Sequence, residues 1–104
     1  MTVPERASRA RVEATVRGRV QGVGFRYFAA HAASRLGLDG WVANEQDGSV
    51  RCVAEGPRTE LETFLADLRE GPSSAVVVDV RAAWGPVRGE GPGFRVRSGS
   101  HRGD

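Results

Sequence analysis

The chain opens its regular structure with an alternation. Val12, Ala14 and Val16 fall on one side and Arg11, Glu13, Thr15 and Arg17 on the other, the period-two signature of a half-buried strand. A glycine-rich loop follows over residues 18–24, and then the period changes. Phe25, Phe28, Ala29, Ala32 and Leu36 recur at i, i+3, i+4, i+7 and i+11, which predicts a helix with one apolar stripe, stopped at Gly37. Residues 40–44 and 49–55 predict two strands of a hairpin with Asp47-Gly48 in its turn, and Val50, Cys52 and Ala54 share a face. Pro57 opens a second helix, at a position where its missing N–H costs nothing. Leu61, Phe64, Leu65 and Leu68 form its stripe and Gly71-Pro72 ends it. A fourth strand is expected from about residue 75 to 84, with Val76, Val78, Val80, Ala82 and Trp84 alternating inward, and a short fifth over residues 94–97.

That order is βαββαβ with an added edge strand. Two helices covering one face of a mostly antiparallel sheet make an α+β, ferredoxin-like sandwich. The 104 residues suit one compact domain, expected over 11–97, with polar tails at 1–10 and 98–104.

Composition narrows the class. Hydrophobic residues are 39% and charged residues 27%, the balance of a globular chain. Cys52 is the lone cysteine, so no disulfide framework is available, and a reducing, cytoplasmic setting is expected. No apolar run approaches the ~20 residues of a membrane span, and residues 1–11 lack the apolar core of a secretory signal. All fifteen basic residues are arginines and the net charge is only +2. They are spread along the chain, which argues against a nucleic-acid stripe.

The most unusual stretch runs Gly18-Arg19-Val20-Gln21-Gly22-Val23-Gly24-Phe25-Arg26. Its glycines let the backbone turn tightly and aim several N–H groups into one concavity beside the positive end of a helix, a suitable nest for phosphate. Arg26, at the start of that helix, carries a planar fork able to grip two phosphate oxygens. Most glycine-rich loops, however, are only turns. This one has no Gly-Lys-Ser/Thr, it fails the dinucleotide spacing, and no parallel βαβ unit is expected after it. Asn44 is the second candidate. An Asn at the end of a strand usually bonds local backbone, and it takes on a functional reading only if its amide faces the loop.

Residues 16–26, Val-Arg-Gly-Arg-Val-Gln-Gly-Val-Gly-Phe-Arg, followed by Gly40-Trp41-Val42-Ala43-Asn44, Gly48-Ser49-Val50 and Gly56, resemble the acylphosphatase family. Leu36-Gly37-Leu38, Glu55-Gly56-Pro57 and the closing Phe94-Arg95-Val96-Arg97 also match, so the resemblance covers about residues 11–97. It implies the same ferredoxin-like fold and the hydrolysis of acyl phosphates. Arg26 and the loop backbone of Gln21, Gly22, Val23, Gly24 and Phe25 would bind the phosphate, and Asn44 would orient the attacking water. It implies no cofactor and no metal, a chain acting as a monomer, and inorganic phosphate as product and competitive ligand. Ala43 departs from relatives, which often carry a basic or polar residue there, and could alter affinity.

The chemistry fits what is missing. A carboxylate is a good leaving group and needs no general acid. Phosphoryl transfer asks mainly for positioning and charge stabilisation. The resemblance further implies that the substrate's own phosphate accepts the water's proton.

Other polar residues read as bland. Cys52 is expected in the core, His31 at the helix edge in solvent, and His101 in a tail. Two distant histidines without a third ligand argue against zinc. Glu60, Glu62 and Asp67 read as a solvated helix face, and Arg102-Gly103-Asp104 as a chance match to an adhesion tripeptide. Three rivals remain: an anion sensor on the same fold, an RNA-binding module, and a domain of a larger maturation factor. A sensor has no use for a water-orienting amide. The RNA reading wants aromatics that residues 49–55 lack. The third is weakened if the chain is free-standing.

Overall fold

Across residues 9–98, which the computed structural model describes, the elements are β1 (Arg9–Arg19), α1 (Phe25–Arg35), β2 (Asp39–Asn44), β3 (Val50–Pro57), α2 (Arg58–Glu70), β4 (Val76–Gly85) and β5 (Phe94–Arg97). Their sheet order is β4-β1-β3-β2-β5. β1 is antiparallel to β3 and β4, β2 is antiparallel to β3, and β5 joins β2 in parallel. The result is a ferredoxin-like α+β sandwich, as the periodicities predict. β1 and β2 therefore run parallel with β3 between them, so β1–α1–β2 is a split parallel unit where none was expected. The strand that separates the pair comes later in the chain, and only sheet pairing reveals it.

The alternating residues do what their period requires. Val12, Ala14 and Val16 of β1, Val42 of β2, and Val50, Cys52 and Ala54 of β3 form one wall of the core. Phe25, Ala29, Ala32 and Ala33 of α1 and Leu61, Phe64, Leu65 and Leu68 of α2 form the other. Phe64 meets Phe94 edge-on, with ring centroids 5.9 Å apart. Burying one such side chain contributes roughly 1.5–3 kcal/mol. Burial pushes the Cys52 thiol pKa up, which keeps it inert as a small core residue. His31 is exposed on α1.

Three details differ from the expectation. β1 begins at Arg9, opposite Pro57, inside the segment read as a tail. Pro57 ends β3 and caps α2 instead of opening it, with Arg58 as the first helical residue. The third concerns β4. Val76 and Val78 are exposed, at 54% and 75%, while Val77 and Val80 pack on the core. The cause is a register shift opposite Arg17 and Gly18, where Asp79 pairs with Arg17 but Val77 with Gly18. The skipped Val78 reverses the in–out parity beyond it. Gly18 permits this: its φ is 135°, and a Cβ there would collide with the Val76 carbonyl. Ala82 and Trp84 do share a face with Ala14 and Val12, yet both are exposed because β4 is an edge. Trp84 is partly covered by the Arg58 guanidinium, 3.6 Å from its ring centre.

At the sheet end that carries Arg11, a buried ionic cluster replaces apolar packing. The Arg11 guanidinium donates to Glu55 at 3.0 Å, Glu90 at 2.7 Å and Glu13 at 3.2 Å. The Glu55 carboxylate, 1% exposed, also accepts the backbone amides of Arg88, Gly89 and Glu90. It thereby pins the Gly/Pro loop 86–93 that carries the chain across to β5. Burial alone would raise the Glu55 pKa. The three amides and Arg11 outweigh it and hold the carboxyl below its ordinary value.

No helix among the described residues is long and apolar enough to cross a membrane. His101 and Arg102-Gly103-Asp104 lie outside the described residues.

Candidate active site

The opposite sheet end gathers the residues singled out in the sequence. β1 runs out at Arg19, the chain turns through residues 20–24, and α1 begins at Phe25. Gly24, the residue before the helix, has φ 81°, a left-handed conformation that glycine takes without a Cβ penalty. No side chain caps this helix and no acidic residue occupies its first turn, so its own first turn places no negative charge at its positive end.

Asn44 is the last residue of β2 and shares strand parity with Val42, which faces the core. Its side chain therefore emerges on the helix side of the sheet. Val20, Gly22, Gly24, Phe25, Arg26, Tyr27 and Asn44 line one cavity of about 230 Å³. Arg26 and Asn44, eighteen positions apart in the chain, thus share a wall of the same hollow with the glycine loop. Asn44 is 6% exposed. The Arg26 guanidinium is steered by the chain's last strand: it donates to the Arg97 carbonyl oxygen at 2.7 Å. That carbonyl fixes the position of one nitrogen of the fork.

The rest of the loop serves as its mounting. The Gln21 side-chain nitrogen donates to the carbonyl oxygens of Glu45 at 2.7 Å and Ser49 at 2.9 Å. The Ser74 hydroxyl donates to the Val23 carbonyl at 2.7 Å. Gln21, Ser74 and Arg97 were not singled out for these side-chain and carbonyl contacts. The partners lie 24 and 28, 51 and 71 residues away in sequence, and no local pattern encodes them.

Ala43 sits on the other side of the sheet. It is 3% exposed, pairs with Arg51 and Arg97, and is not among the residues lining the cavity. Beside it, Trp41 is flanked by the guanidiniums of Arg97 and Arg51, 4.2 and 5.8 Å from its ring centre. A broader hollow of about 560 Å³ spans that open face. Its charges neutralise one another, through Arg51–Glu13 at 2.6 Å and Arg17–Asp47 at 3.5 Å. The Asp47 carboxyl is held below its ordinary pKa by the Ser49 hydroxyl and amide. Among the described residues no group of three or more His, Cys, Asp or Glu could hold a metal ion.

Residues 12–96 match the family model described as Acylphosphatase. A protein of Salinibacter ruber named "Acylphosphatase" is 48% identical over 93 residues, covering 89% of this chain and 98% of its own. One of Thermus thermophilus with the same name is 51% identical over 86 residues, 83% of this chain and 97% of its own. Among solved structures, an acylphosphatase from Coxiella burnetii superposes with a TM-score of 0.84 at 35% identity, covering 92% of this chain and 100% of that one.

Proposed function

The chain belongs to the acylphosphatase family, and from that premise we propose that it hydrolyses acyl phosphates to a carboxylate and inorganic phosphate. One observation carries the reading: Arg26 and Asn44 line a single small cavity together with the glycine loop at an uncapped helix start.

In the proposed mechanism the phosphate enters that cavity against the loop backbone of residues 21–25. The Arg26 fork pairs with two of its oxygens. The Asn44 amide holds a water in line with the phosphorus–oxygen bond to the acyl group. As the water attacks, that bond breaks and the electron pair leaves with the carboxylate. An oxygen of the substrate's own phosphate takes the water's proton. Arg26 stabilises the charge on the transferring group throughout, an electrostatic task performed best where donors are fixed in advance. No general acid is needed, because a carboxylate leaves readily at neutral pH. No step of this route calls for a metal or a cofactor. Inorganic phosphate is product and competitive ligand. All the groups named come from one chain, so a monomer suffices, and the cytoplasm is the proposed setting.

The test is release of inorganic phosphate from acetyl phosphate and benzoyl phosphate by the purified protein, in excess EDTA. Turnover is expected to be unchanged by the chelator and far slower on a sugar phosphate. Activity lost in EDTA and restored by metal, or comparable rates on both substrate types, would overturn the reading.

A further inference from the structure

We propose that Gln21 is a positioning residue for this reaction: its side-chain amide sets the distance between the phosphate loop and Asn44. The inference rests on the function proposed above and adds a role for a side chain that lies outside the cavity.

The geometry is that of a two-pronged clamp. The amide nitrogen of Gln21 has two hydrogens, and it donates to two carbonyl oxygens, those of Glu45 and Ser49. Both acceptors belong to the β2–β3 connection that begins directly after Asn44. Each is already bonded within that connection: the Glu45 carbonyl accepts the Gly48 amide at 3.1 Å, and the Ser49 carbonyl accepts the Glu45 amide at 2.9 Å. A carbonyl oxygen has two lone pairs, so Gln21 takes the second on each oxygen and closes the network. Gln21 is only half-buried and contributes no core packing, so what it supplies is this link.

The link matters because the two halves of the site come from separate elements. The loop and Arg26 belong to the β1–α1 junction, and Asn44 to the end of β2. The phosphate half has anchors of its own, Ser74 on the Val23 carbonyl and the Arg97 carbonyl on Arg26. Releasing Gln21 leaves those intact and loosens Asn44 relative to the phosphate. A displacement of about 1 Å in a reacting pair can cost on the order of 10²-fold in rate. Phosphate binding, which needs only the first half, should be spared.

Gln21→Glu tests this with an isosteric side chain. At neutral pH its carboxylate has no hydrogen for either carbonyl and sets negative charge against both. On acidification the protonated form regains one O–H donor. Gln21→Met keeps the length and removes the donors without adding charge. Both variants should lose kcat by on the order of 10²-fold, with KM and phosphate affinity close to wild type in Gln21→Met, while the added carboxylate of Gln21→Glu also weakens phosphate binding by like-charge repulsion. The ratio of Gln21→Glu to wild-type kcat should rise as pH falls through the carboxyl range, while that of Gln21→Met stays flat. Near-normal kcat in both variants would overturn the proposal, as would a parallel loss of kcat and phosphate binding in Gln21→Met or a flat pH ratio for Gln21→Glu. If the wild type hydrolysed no acyl phosphate, the functional reading would fall separately. The clamp would then be judged by NMR of phosphate-bound Gln21→Met, where the Asn44 side-chain amide should shift and lose order at unchanged phosphate affinity. An unmoved Asn44 signal would overturn it.

Discussion

The two ends of the sheet are fixed by different kinds of contact. At one end Arg11 is buried among Glu13, Glu55 and Glu90. Its charge is consumed within the fold, and what it gains is a fixed loop 86–93. At the other end Arg26 is steered by a backbone carbonyl, the glycine loop by a neutral amide and a hydroxyl. These neutral groups mount the loop without adding negative charge of their own.

The comparison breaks most visibly at Arg26. Arg26→Ala should lose activity by about 10³-fold or more, the scale of an arginine acting on a transferring phosphoryl group, and lose phosphate binding with it. Arg26→Lys should recover little, since an ammonium cannot make the two-pronged grip. Calorimetric titration with phosphate, beside steady-state kinetics, checks both. Normal phosphate affinity in Arg26→Ala would refute the assignment.

Asn44→Ala sharpens the division within the site. An interaction made only in the transition state lowers kcat, whereas one made in both states also weakens binding. The variant should lose roughly 10²–10³ in kcat and still bind inorganic phosphate as a competitive ligand. Retention of most of kcat would remove Asn44 from the mechanism.

Arg11→Met probes the other end. It leaves the Glu55 carboxylate buried without its cation, which costs about 3–5 kcal/mol when a buried pair is broken. The loss should appear in urea unfolding, while kcat per folded molecule stays near wild type. A large fall in kcat at unchanged stability would show that the two ends are coupled.

The smallest effect is the response to acid. Glu55 and Glu13 are held below the ordinary carboxyl value of 4.5. For Glu13 the chief cause is the Arg51 hydrogen bond. Their folded state binds fewer protons than the unfolded chain, so this stability is fully present above the ordinary carboxyl range. It is lost as pH falls through the lowered values. The urea midpoint should therefore drop below about pH 4.5, and less steeply in Glu55→Gln. An equally steep drop in that variant would assign the acid sensitivity elsewhere.

Much of this was legible in the chain itself. Period two in residues 12–16 and period 3.6 in 25–36 and 61–68 decided the element types, because each element has one face to bury and its residues recur with that face. The glycine loop and Arg26 were legible too, since a tight turn and its following helix are contiguous in sequence. The tertiary structure alone decided the rest. Only the pairing of β2 into the sheet, with its parity, placed the Asn44 side chain on the same side as α1 and in the lining of the cavity beside the glycine loop. Val76 and Val78 read as inward until the mismatch with Gly18 moved them out, because a bulge is a property of two strands. The side-chain contacts of Gln21 and Ser74, the Arg97 carbonyl's hold on Arg26 and the Arg11–Glu55–Glu90 cluster gave no local signal at all. Hydrogen bonds and ion pairs depend on distance in space, and these partners lie between 24 and 79 residues apart along the chain.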